Sequence, residues 1–324
     1  MSVDPRLSKA FKEQNGFSLE GHLILLSYVG SHSHGTHIPQ SEKDSIDDTD
    51  FMGIVIPPPD RLLGLHEWEG WNWQFEELDV VLYSLPKAVR LLLKGNPNIL
   101  GLLWMRTEDY VFLDPVGREL IRKRDWFSSR EVYNSFIGYA HGQFDRMTTF
   151  SAERALEYDN LALAIRTFSN GETTATDIIG ADASKLAELA MGNSLMIDVF
   201  KKFQTLHRKY FSGYMGEKRK GMVRKFGYDT KNAAHLIRLL RMGTEFMQTG
   251  ELKVFRSEDA QELIDIKKGN WSLEQVKETA EKGFALAHDA KEATTLPDHP
   301  NEAAAEEWLV STLVDSCYIG WRNK

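Results

Sequence analysis

The chain has 324 residues, 42% of them apolar, with 39 basic and 47 acidic side chains and a net charge of −8. That is enough apolar matter for one large or two ordinary domains, so disorder is not the default, and the overall acidity argues against a protein that coats nucleic acid while leaving a local basic groove open. A lone cysteine, Cys317, rules out an internal disulfide and a cysteine-based zinc site. The charged start MSVDPRLSKAFKEQ lacks an apolar signal core. No run approaches the roughly 18–20 apolar residues of a membrane span, so a soluble cytoplasmic protein is the expectation.

Leu23 to Val29, LILLSYV, is a short unbroken apolar run stopped by Gly30-Ser31, and its length predicts a buried strand. Phe51 to Ile56 predicts a second, ended by Pro57-Pro58-Pro59, which cannot continue a ladder. FEELDVVLYS, Phe75 to Ser84, predicts a third. It runs into a helical spacing over Leu85 to Leu93 that breaks at Gly95-Asn96-Pro97. After about Pro115 the apolar residues recur at three/four spacing in segment after segment, with FSNGETTATDIIGADAS as the predicted internal loop. The expected fold class is α+β: a mixed sheet with helices over residues 1–125, then a mostly α-helical domain over 126–324.

The odd stretch lies between the first two strands. His32, His34 and His37 follow the Gly-Ser pair, and five acids from Glu42 to Asp50 crowd the start of a buried strand. Strand side chains alternate faces, so Asp48 and Asp50 point one way and Asp47 the other. Two carboxylates on one face repel unless a cation lies between them, and hard oxygen donors select Mg²⁺ or Mn²⁺ over zinc. Asp79, on the next predicted strand, is the candidate third acid, with Glu77 in reserve and Glu76 and Glu69 still open. A glycine lets backbone approach an anion closely, and the Ser31 hydroxyl can donate to one. Singly these features read as a solvated acidic turn and an ordinary Gly-Ser turn; together they describe a site for a nucleoside triphosphate.

Gly30-Ser31, then Gly35-Thr36, then Asp48-x-Asp50 leading into an apolar strand resembles the signature of the DNA polymerase β nucleotidyltransferase superfamily. The chain is more closely similar to a branch from bacteria and their viruses, some of whose members are associated with RNA ligases. SIDDTDFMGIVIPP, DVVLYSLPKAVRLLLKGNPNILGLLW, LIRKRDWFSSR with FIGYAHGQ, and GEKRKGMVRKFGYDTKNAAHLIRLLRMGTEFMQTGEL extend the likeness from about Leu23 to about Trp271. The resemblance implies that Asp48 and Asp50 hold two metal ions, Mg²⁺ or Mn²⁺, with Asp79 as third carboxylate. It implies that Gly30 and Ser31 bind the β- and γ-phosphates of an NTP such as ATP. It also implies an acceptor hydroxyl that attacks the α-phosphate as pyrophosphate leaves. An RNA or tRNA end, as in RNA repair, is one acceptor; a protein side chain or a small molecule is another.

The remaining candidates come from the helical half. Lys201 to Lys225 holds nine basic residues and one acid, Glu217, and Lys218, Arg219 and Lys220 are candidate substrate contacts or simply a surface turn. Lys231, His235 and Arg238 fall at i, i+4, i+7, a polar stripe suited to a triphosphate. Glu245, one turn after Arg241, could fix an arginine in place or be purely structural. Tyr139 and Gln143 share a helical face and could meet a base, with a buried Tyr–Gln hydrogen bond as the plainer reading. The three histidines could form a zinc site, but a helix after the turn would splay them, and lining an anion pocket suits them better. A catalytically silent nucleotide- or RNA-binding module is the other function class.

Overall fold

In the computed structural model, residues 3–39, 47–149, 152–211 and 217–322 are described, the backbone alone for 148–149, 152–155, 175, 209–211, 217–220 and 319–322. The N-terminal half forms a five-stranded mixed sheet: β1 (Leu23–Val29), β2 (Thr49–Val55), β3 (Gly70–Phe75), β4 (Leu78–Ser84) and β5 (Tyr110–Leu113). They lie in the order β3-β4-β2-β1-β5. β2 and β4 are parallel; every other pair is antiparallel. The predicted α+β class holds, as do β1, β2 and the helix Leu85–Leu93, which Ser84 caps by accepting the Lys87 N–H.

Two strands escape the apolar-run reading. The segment expected as one strand over 75–84 is half of a hairpin, with Glu76 in its turn at φ 53°. β3 alternates Trp71, Trp73 and Phe75 with Asn72 and Gln74, and the three rings stack along it at 5.9 and 5.5 Å. β5 is four residues long, and none of them is fully buried. Neither strand has an unbroken aliphatic stretch.

One face of the sheet packs under the helix Pro5–Asn15, which Asp4 caps by accepting the Arg6 N–H. Leu7 and Phe11 from that helix join Leu26, Val55, Val80 and Leu82, with Phe51, Trp71 and Trp73 at the margin. Alternation then turns Asp50 and Asp79, the neighbours of Phe51 and Val80, to the opposite face.

The chain divides into two compact units. One comprises residues 1–140, 237–265 and 277–324; the other comprises 141–236 and 266–276. In the second, the helices Ala152–Phe168, Ala183–Leu189 and Ser194–Phe211 enclose Ile165, Leu186, Phe200 and Phe203. The short helix Ala175–Ile179 interrupts the segment expected as a loop, held by a capping box between Thr174 and Asp177. Gln204 Nε2 donates to the carbonyls of Ile178 and Ala181 at 2.6 and 2.7 Å, fixing the end of this short helix to the helix Ser194–Phe211.

Candidate active site

The sheet topology gathers four strand ends at one edge. Because β2 and β4 are parallel, both begin there, and because β1 and β3 are antiparallel to them, both end there. Val29 lies opposite Asp50, Asp50 opposite Asp79, and Gln74 opposite Asp79. Residues in register on parallel strands project to the same face, so Asp50 and Asp79 are lateral neighbours. Asp48, two residues before Asp50, precedes the first residue of β2 and is half-buried, as are Asp50 and Asp79.

The turn after β1 is built against this edge. Gly30 has φ 64°, and a Cβ there would overlap Asp50 Oδ2 and stand 3.0 Å from Asp50 Cγ. Only glycine meets both demands, so the turn and the carboxylate are fitted to each other. The helix that follows is a single turn, Gly30–Ser33, shorter than the sequence suggested. A single turn carries little helix dipole, so an anion-binding role for it would have to rest on its N–H groups and hydroxyls. The chain then closes back, with the Thr36 N–H donating to Ser31 O at 2.9 Å.

Asp47 has another task. It is 1% exposed, and its Oδ2 accepts the Ile38 N–H at 2.9 Å. The acid expected to face away from Asp48 and Asp50 thus anchors the chain leaving the turn. The histidines are not splayed evenly: the rings of His32 and His37 stack at 3.8 Å, and Ser31 Oγ lies 3.1 Å from His37 Nδ1. His34 turns elsewhere, its Nδ1 2.9 Å from Val254 O, which requires Nδ1 to carry the proton. The nearby Arg238 NH1, 3.4 Å from that same nitrogen, is therefore a close contact and not a hydrogen bond.

Among the described residues no three His, Cys, Asp or Glu side chains are drawn together as a metal-ligand group. The three histidines accordingly do not form the zinc site considered above. Asp48, Asp50 and Asp79 are likewise not drawn into a ready-made three-carboxylate group; what Asp50 and Asp79 share is a register position beside the glycine turn, and carboxylate oxygens are the donor chemistry that suits Mg²⁺ or Mn²⁺. Of the other acids considered, Glu69 is committed to helix Leu85–Leu93, accepting from Lys87 Nζ at 2.7 Å and Arg90 NH2 at 2.8 Å. Its backbone carbonyl accepts from Ser84, at the far end of β4. Glu76 lies 3.4 Å from Arg6, and Glu77 is exposed before β4 begins.

A strap that the sequence did not advertise holds the turn from behind. The Arg256 N–H donates to His34 O at 3.1 Å, and the Phe255 ring fills the space where a Cβ on Gly35 would go. Arg106 stacks over that ring at 3.7 Å while its fork grips Asp109, whose carbonyl accepts from Ser27 on β1. Arg256, 5% exposed, is bound bidentately by Glu245 at 2.6 and 2.8 Å and by Asp259 at 2.8 and 3.0 Å. Arg241 joins Asp259 and Glu262. Glu245 does fix an arginine, then, but the arginine is Arg256.

Arg238 is placed differently. Its NH1 meets His34 and the sulfur of Met242 at 3.3 Å. Burial, and after it the like charge of Arg256, pushes the guanidinium down to about 9, still charged at neutral pH. A desolvated cation gains from any anion brought near it. Lys231 and His235 are half-buried in the other unit, and only the backbone is described for Lys218, Arg219 and Lys220. Tyr139 OH lies 3.5 Å from Asn98 Nδ2. Gln143 is 2% exposed, and its Oε1 receives no hydrogen bond among the described residues, so the carbonyl end makes no Tyr–Gln bond.

A family model described as RNA repair pathway DNA polymerase beta family matches residues 4–168, just over half of the chain and the whole of the sheet. Comparison with curated proteins and with solved structures gave no match. No helix among the described residues is long and apolar enough to cross a membrane.

Proposed function

The chain belongs to the RNA repair pathway DNA polymerase β family, and from that premise we propose that it transfers a nucleoside monophosphate from an NTP to the hydroxyl of an RNA or tRNA end. The observation that carries this reading is the fit of Gly30 to Asp50, with Asp79 in register beside it. A phosphate-approaching turn and paired carboxylates at one sheet edge are what the reaction requires.

Asp48, Asp50 and Asp79 would hold Mg²⁺ or Mn²⁺, which supplies activation of the attacking hydroxyl and neutralisation of charge on the phosphates. The N–H groups of the Gly30–Ser33 turn and the Ser31 hydroxyl bind the outer phosphates, and Arg238 adds positive charge from behind. The acceptor oxygen attacks the α-phosphorus in line, the bond from that phosphorus to the bridging oxygen breaks, and pyrophosphate departs with the electron pair. Asp79, whose Oδ2 accepts from Gln74 Nε2 at 3.0 Å, receives the acceptor's proton on its other oxygen.

The test is label transfer. Wild-type protein incubated with each α-labelled NTP, Mg²⁺ or Mn²⁺, and total RNA should label RNA. Asp48→Ala with Asp50→Ala should reduce transfer by at least about a thousandfold, the scale of losing preorganised electrostatic stabilisation. Label entering protein instead of RNA would reassign the acceptor; equal rates in wild type and the double variant would overturn the reading.

A further inference from the structure

His37 has no place in the reaction as written, yet it is held with unusual care. On one side of it the Thr36 N–H closes the turn onto Ser31 O, and on the other the Ile38 N–H is captured by the buried carboxylate of Asp47. The His32 ring stacks on its face at 3.8 Å with 22° between planes. His32 in turn lies 5.6 Å from Tyr28, and Tyr28 lies 4.7 Å from Phe51 on the adjoining strand. The result is a defined contact of His37 Nδ1 with Ser31 Oγ at 3.1 Å.

A serine hydroxyl has one proton to donate and two lone pairs. If it donates to an unprotonated Nδ1, it has no proton left for a phosphate oxygen. If Nδ1 carries a hydrogen, the imidazole donates to Oγ and the serine proton is free to point at the ligand. Resting on the phosphate role assigned above to Ser31, we propose that His37 is a positioning residue that donates from Nδ1 to Ser31 Oγ and so keeps the Ser31 proton available to the triphosphate. Asp47 serves the same end by holding the His37–Ile38 backbone in place. The acid of the SIDDTD stretch that faces away from the strand edge thereby acts on the phosphate side of the site.

Two measurements test this. In the ligand-free protein, ¹⁵N-resolved imidazole spectra should show His37 protonated at Nδ1; a neutral ring protonated only at Nε2 overturns the proposal without touching the function assigned to the site. In calorimetric titration with Mg²⁺-tripolyphosphate, His37→Ala should weaken binding by about three- to tenfold, the usual net value of one hydrogen bond. His37→Asn, whose amide nitrogen can occupy the place of Nδ1, should stay within about threefold of wild type. In a Ser31→Ala background His37→Ala should have no further effect. Equal losses from His37→Ala with and without Ser31 would overturn the proposal, while failure of the wild type to bind tripolyphosphate would overturn the phosphate site and this inference together.

Discussion

At Gly30 an alanine would face two costs at once. Its φ of 64° is left-handed, and its Cβ would displace the Asp50 carboxylate. Gly30→Ala should therefore destabilise the protein by about 1–3 kcal/mol, read by urea denaturation. It should also abolish nucleotide transfer well beyond what that loss of stability explains. Gly35→Ala is the control. It shares the positive φ, at 69°, but its Cβ would meet the ring of Phe255 and no carboxylate. Comparable destabilisation with much smaller loss of transfer is expected, and matching losses of activity would show that the Gly30–Asp50 contact has no special weight.

Among the elements, the stretch Leu252–Arg256 supports the site's turn from a distant part of the chain. It has no regular secondary structure, yet it supports the turn through a backbone hydrogen bond, a ring and a buried ion network. Removing one partner from a buried network leaves charges uncompensated, so Arg256→Ala should cost about 3–5 kcal/mol, measured by chemical denaturation. A pH dependence follows from Asp259. Burial would raise its pKa, but hydrogen bonds from Arg256 and Arg241 outweigh that and hold it below its ordinary value. A depressed carboxylate contributes fully above the unfolded-chain pKa, about 4, and loses that contribution as pH falls through the lower folded value. The difference in melting temperature between wild type and Asp259→Asn should thus be constant near neutrality and narrow below about pH 4.

For the whole molecule the question is how a chain of net charge −8 would engage RNA. Its basic residues are unevenly spread, nine of them within residues 201–225. That segment belongs to the unit of residues 141–236 and 266–276, and not to the unit that carries the sheet edge. With an RNA end as acceptor, binding releases counterions. Three phosphate contacts to a single strand would weaken affinity by about twentyfold between 50 and 200 mM salt. Affinity measured by fluorescence anisotropy across that range should show such a slope, and Lys218, Arg219 and Lys220 changed together to alanine should flatten it. A salt-independent affinity would point to a small-molecule acceptor.

The order of apolar runs and turn residues was sufficient to determine β1, β2 and the helix Leu85–Leu93, because each depends on neighbours within a few positions, and the α+β class follows from their succession. Local pattern fell short at β3 and β5, where aromatic alternation and mere brevity replace aliphatic runs and pairing with a neighbouring strand supplies the stability. Only tertiary structure decided that Asp79 stands in register with Asp50, that Asp47 anchors Ile38, and that Glu245 binds Arg256. It likewise decided that residues 237–265 and 277–324 join the unit of the sheet. Strand register and the pairing of buried charges are settled by contacts between segments distant along the chain. Those contacts depend on shape and on the cost of leaving polar groups unpaired, and neither is written in the spacing of residues along any one segment.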